Sequence, residues 1–145
     1  QLSGSKIKLP VQLGRRRAEE GSPQVKSFYK KLLAVVSQAV FRCGEWKLLH
    51  VKPAWHDNHT WTDFLAYRWF AKDHGTRLVV VNYAPHSGQC SIELHLESID
   101  GTRIEFKDLM SSANFIRERS TLASKGMYFD LPGYGLHIFE LLPNG

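Results

Sequence analysis

Two periodicities divide the chain. Between Ser22 and Gly44 apolar residues return every three or four positions: Phe28, Leu32, Val35, Val36 and Ala39 form one stripe, and Tyr29, Leu33 and Val40 a second beside it. That is the spacing of a helix, with an apolar arc wider than contact with a single surface requires. Lys26, Lys30, Lys31 and Gln38 keep a polar strip. Ser22-Pro23 supplies a capping hydroxyl and a proline for the first helical position. Arg42-Cys43-Gly44 supplies a last-turn cation and a glycine able to turn left-handed. The pattern therefore predicts a helix from Pro23 to about Phe41. Ahead of it, Ile7, Leu9, Val11 and Leu13 alternate weakly and give way to the polar run 14–21, which reads as an extended segment and a loop.

From Glu45 onward the period shortens. Apolar and β-branched stretches at Trp46–Val51, Phe64–Phe70, Arg77–Tyr83, Gln89–Leu96, Arg103–Asp108, Phe115–Arg119, Met127–Asp130 and Leu136–Leu141 read as short strands. Turn signals part them at Asp73-His74-Gly75, Pro85-His86-Ser87-Gly88, Asp100-Gly101 and Pro132-Gly133. About eight strands without helices between them predict a mainly β chain, an antiparallel sandwich of Greek-key type preceded by one α-helix. The division falls into residues 1–42 and 43–145, with no internal repeat. Trp46 and Trp69, inside strands, are expected in the core.

Composition and charge narrow the class. With 145 residues, 43% of them hydrophobic and 23% charged, the chain has the make-up of a folded domain. No apolar run reaches the roughly 20 residues of a membrane-spanning helix, and Leu78–Val81 is strand-sized. Residues 1–17 are basic without a continuous apolar stretch, so no secretory leader is expected. The net charge of +5 is uneven: residues 1–42 carry nine Lys and Arg against two acids, residues 43–145 ten against twelve. A nucleic-acid partner needs clustered cations on the folded surface, so none is expected, and no membrane either. Cys43 and Cys90 form no metal or redox spacing and read as reduced structural thiols, which points to the cytoplasm.

Several stretches, in order, resemble the closing part of an α-amylase-family (glycoside hydrolase family 13) enzyme. Phe28-Tyr29-Lys30-Lys31-Leu32-Leu33 and Arg42-Cys43-Gly44-Glu45-Trp46-Lys47-Leu48-Leu49 are similar to the last helix of its (β/α)8 barrel and the glycine turn into its C-terminal β-sandwich domain. Phe64–Trp69 and Arg77-Leu78-Val79-Val80-Val81-Asn82-Tyr83-Ala84-Pro85 resemble paired strands of that domain, with an aliphatic run closed by Asn82. Met127–Leu141, with Leu131-Pro132-Gly133-Tyr134-Gly135 inside it, resembles the final hairpin. Gln1–Arg15 looks like the loop after the eighth barrel strand. The resemblance implies that 1–42 is a barrel remnant and 43–145 the C-terminal domain of an enzyme acting on α-glucans. The family's catalytic carboxylates belong to earlier strands, so no catalytic residue is carried over and the chain alone is expected to be inactive. Its expected partner is the catalytic barrel, met through an interface at Phe28, Leu32, Leu33, Val36 and Val40. With that partner missing, self-association through the helix, or folding of residues 1–20 back over it, is expected.

The residues that invite chemistry have plainer readings beside the functional ones. Glycoside hydrolysis by retention needs two carboxyl groups about 5 Å apart; Asp57 and Asp63 are the local candidates, in a loop where each also suits a turn. Trp55, Trp61 and Tyr134 offer flat faces on which sugar rings stack, the basis of an alternative reading as an α-glucan-binding module. Packing of Trp55 and Trp61 as loop anchors, onto the sandwich or the missing barrel, is the favoured reading of those two. His56 and His59 form the one close histidine pair, short of the ligand count of a zinc site, so no metal and no cofactor are expected. His137, in an apolar strand, reads as a hydrogen-bonded structural histidine. Arg15, Arg16 and Arg17 read as a solvated charge run.

Overall fold

The computed structural model describes residues 21–145; the expected N-terminal extended segment and loop and Arg15, Arg16 and Arg17 lie outside the described residues. The chain forms two compact units, Gln1–Ser37 and Gln38–Gly145.

In the first unit, α1 spans Pro23–Val36. The Val25 amide donates to Oγ of Ser22 at 3.4 Å, and Pro23 sits in the first turn. The helix stops at Val36 rather than continuing to Phe41. Ser37 ends it, its hydroxyl donating to the Ala34 carbonyl at 2.8 Å and its amide to the Leu33 carbonyl at 3.1 Å. A serine hydroxyl competes for helix carbonyls and favours such an ending. Val35 is buried, Leu32 is half-buried, and Phe28, Tyr29, Leu33 and Val36 are exposed.

The second unit opens with the short α2 (Val40–Cys43) and holds nine strands: β1 (Glu45–Leu48), β2 (Val51–Lys52), β3 (Phe64–Ala71), β4 (Gly75–Asn82), β5 (Gly88–Ile92), β6 (Arg103–Asp108), β7 (Asn114–Glu118), β8 (Met127–Leu131) and β9 (Leu136–Asn144). They make a six-stranded sheet, β1-β3-β4-β9-β6-β7, and a three-stranded sheet, β2-β5-β8. All pairings are antiparallel, the sandwich expected from the strand pattern. The stretch expected as one strand, Trp46–Val51, is two, because the chain changes sheet at Leu49–His50. The Leu49 amide donates to Ala66 of the large sheet at 2.9 Å, and the His50 carbonyl accepts from Glu93 beside the small one at 3.1 Å.

Alternation sets the core. Phe64 and Ala66 of β3, Leu78 and Val80 of β4, Phe139 and Leu141 of β9 and Ile104 and Phe106 of β6 face Cys90, Ile92, Phe129 and Leu131 of the small sheet. Phe106 and Phe115 each meet Phe139 edge-on, at 5.8 and 6.0 Å. One helix was not expected: α3 (Arg119–Lys125) joins β7 to β8. It buries only Leu122, 2% exposed, and a seven-residue helix with one anchor shows no periodic stripe.

Two further expectations are corrected. Gly44 is extended (φ −80°, ψ 158°) rather than left-handed. It must be glycine because a Cβ there would lie 2.3 Å from the Val40 carbonyl oxygen and 2.9 Å from that of Phe70. Trp46 is 51% exposed rather than core. It pairs across β1 and β3 with Trp69, half-buried and likewise outside the expected core, on the face of the large sheet turned away from the core, and β1 is that sheet's edge.

Candidate functional site

Three loops meet at one end of the sandwich: 53–63, 83–87 and 132–135. Asn82, fully buried at the end of β4, joins the last two. Its Nδ2 donates to the carbonyls of His86 (2.9 Å), Pro132 (3.0 Å) and Leu131 (3.2 Å), while its Oδ1 accepts from the Ala84 amide at 3.1 Å. Two amide hydrogens thus serve three carbonyls. The Tyr134 amide donates to the Ala84 carbonyl and the Asn82 amide to that of Gly135, both at 2.9 Å. Gly133 is so close to Pro85 that a Cβ would fall 2.3 Å from its carbonyl oxygen.

The first loop is tied in as firmly. Asn58, 4% exposed, accepts from the Ala54 amide at 3.2 Å and donates to Oγ1 of Thr60 at 2.9 Å. Thr60 in turn accepts from the Gln89 amide at 2.9 Å. The Tyr83 amide donates to the Asp63 carbonyl at 3.0 Å, and its hydroxyl to that of Thr62 at 2.7 Å.

On this frame the predicted sugar-stacking residues separate. Trp61 stands in a single 3-10 turn, Thr60–Asp63, and packs partly buried against the core, as a loop anchor does. Trp55 is 52% and Tyr134 69% exposed. Tyr83, named in the sequence only within the strand resemblance and not as a site residue, is exposed in the same loop cluster. Its place after a buried strand end is the signal that could have found it.

The two carboxylates are engaged separately: Asp57 with Nδ1 of His56 at 2.8 Å on the open surface, Asp63 facing Nε2 of His86 at 3.7 Å. His59 joins neither pair in the described structure. No group of three or more His, Cys, Asp or Glu among the described residues is placed to hold a metal ion.

The outer face of the large sheet is the second candidate surface. Its rows run Trp46, Trp69, Arg77, Glu140, then Leu48, Tyr67, Val79, Ile138, then Leu65, Val81, Leu136. Val79 and Ile138, in the middle row of this face, are already buried. At the first row Phe41 meets Trp69 edge-on at 6.0 Å, and Oε1 of Gln38 accepts from Nε of Arg77 at 3.0 Å. Arg77, itself buried, also pairs with Glu140 at 2.8 Å. Val40 of the predicted interface is buried, and α2 packs on β3 and β4. Leu48 and Leu65 stay 54% and 44% exposed.

Elsewhere, His137 is hydrogen-bonded as expected, to the buried Asp108. Both cysteines are free, and burial pushes the Cys90 thiol up to about 12, which makes it inert at neutral pH. No described helix is long and apolar enough to cross a membrane. Compared with known proteins, the chain matches no family model and no curated sequence.

Proposed function

We propose that the chain is a non-catalytic accessory region of an α-amylase-family enzyme of α-glucan metabolism. Its sandwich then acts mechanically, covering and stabilising a catalytic barrel. One observation carries the reading: the outer face of the large sheet exposes Trp46, Leu48 and Leu65, large apolar residues that gain about 25 cal/mol per Å² when covered. The exposed Phe28, Leu33 and Val36 of α1 support the same need for a partner. Separate engagement of Asp57 and Asp63 supports the absence of a hydrolytic pair. The unpaired thiols support a reducing compartment such as the cytoplasm.

The test is the association state of the 145-residue chain. Light scattering is expected to show self-association, weakened by Leu48→Lys or Leu65→Lys on the sheet or by Leu33→Glu on α1, with the folded spectrum retained. A monomer in all forms, with no protection of α1 by residues 1–20 in hydrogen exchange, overturns the reading. So does starch hydrolysis by the purified chain that is lost on Asp57→Asn or Asp63→Asn.

A second reading, direct contact with α-glucan, is favoured by the exposed aromatic residues of the loop cluster. The backbone of Tyr134 gives it a specific form.

A further inference from the structure

Tyr134 is the only non-glycine with a positive φ, 57°, among the described residues. It occupies the third position of the turn Pro132–Gly135, closed by the Gly135 amide donating to the Pro132 carbonyl at 2.9 Å. A left-handed backbone at that position suits glycine or asparagine, and a bulky residue there is strained. Packing does not repay the strain, since Tyr134, at 69%, is the most exposed large hydrophobic among the described residues. The adjacent Gly133 is sterically compelled by Pro85; no comparable constraint asks for an aromatic ring at 134. A strained residue that the surroundings hold in place and present to solvent is the mark of a contact site.

We propose that Tyr134 and Tyr83 form a stacking platform for a neutral oligosaccharide. The proposal rests on the second reading above and deepens it. The tyrosines leave β9 and β4 at the same end, each two positions beyond the Leu136–Val81 pair. The hydrogen bonds of Asn82, Tyr134 and the Tyr83 hydroxyl fix the backbone and one ring before any ligand arrives, which lowers the cost of ordering on binding. Residues 82–88 and 131–136 contain no Lys, Arg, Asp or Glu. A phosphate-bearing partner, nucleic acid or anionic lipid, would need cations there. A sugar ring is uncharged, apolar on its C–H face and hydroxylated at its edge. It fits aromatic rings flanked by glycine, proline and backbone carbonyls.

The experiment titrates the 145-residue chain with maltoheptaose and, separately, cellohexaose, following backbone amide shifts by NMR, alongside Tyr134→Asn and Tyr83→Ala. Expected are maltoheptaose shifts centred on Tyr83, Ala84, Tyr134 and Gly135. In Tyr134→Asn, binding should weaken about tenfold or more while the melting temperature is unchanged or higher, because asparagine tolerates the left-handed backbone. Intact binding in both variants overturns the platform, as does a lowered melting temperature of Tyr134→Asn, which would make the ring a packing residue. Maltoheptaose shifts centred on Trp55 instead keep the α-glucan reading and overturn the tyrosine platform. Cellohexaose binding alone keeps the platform and removes the α-glucan assignment. No shift with either sugar overturns both.

Discussion

Nδ1 of His137 donates to Oδ2 of Asp108 at 2.9 Å, joining β9 to β6 beneath the turn that leads into β7. The same carboxylate accepts from the Met110 amide at 3.1 Å, the Ile138 amide at 3.3 Å and the Ser111 hydroxyl. Burial opposes ionisation of Asp108, but the hydrogen bonds from Ser111, His137 and Met110 outweigh it and hold the carboxyl below its ordinary 3.8. A carboxyl lowered by folding stabilises the fold above its unfolded value, and that stability is lost as pH falls through the lower folded value. Urea midpoints should therefore fall below about pH 4, and less steeply in Asp108→Asn. That variant should lose about 1–3 kcal/mol at neutral pH. Parallel pH profiles for the two proteins would refute the assignment.

Asn82 gives a sharper contrast. Asn82→Ala leaves buried carbonyls without donors, at about 1–3 kcal/mol for each group truly stranded. Asn82→Asp is nearly isosteric but places an acceptor oxygen against the carbonyls of His86, Leu131 and Pro132. It should be the less stable of the two at neutral pH and recover in part on acidification, when a protonated acid can donate. Denaturant unfolding at both pH values checks the order, and an aspartate variant as stable as the wild type contradicts it.

Gly133→Ala must move backbone rather than a flexible side chain, because the added carbon would meet the Pro85 carbonyl group at 2.3 and 2.4 Å. A loss of about 1–3 kcal/mol is expected, read from the denaturation midpoint. A loss smaller than about 0.5 kcal/mol, the usual range of a surface substitution, would show that the two loops are not pressed together.

Trp55 and Trp61 should part company. Trp61→Ala removes a ring packed against the core and should approach the roughly 3–5 kcal/mol of a buried aromatic truncation. Trp55 is 52% exposed, and Trp55→Ala should cost under about 1 kcal/mol. Equal losses in thermal or urea unfolding would mean that the loop tip is packed as firmly as its base.

The sequence by itself determined what local chemistry dictates. Period-two alternation placed Arg103–Asp108 as a strand and every other main strand to within a few residues, and Ser22-Pro23 placed the start of α1. Which strand face is the core was not legible: Trp46 and Trp69, expected there, lie on the opposite face of the large sheet from Phe64 and Ala66, because alternation fixes which side chains share a face but not which face is covered. Whatever depends on distant partners was decided by the tertiary structure alone. One apolar stretch, Trp46–Val51, serves two sheets because Ala66 and Glu93 claim neighbouring backbone groups. Trp46 is exposed because β1 is an edge. Gly44 is glycine because Phe70 comes close, and Asn82 binds two loops because 49 and 50 residues later Leu131 and Pro132 turn back to it. The left-handed backbone of Tyr134 is likewise invisible in the sequence: proline and glycine announce a turn there, but only the contact of Gly133 with Pro85 settles which residue must carry the strain.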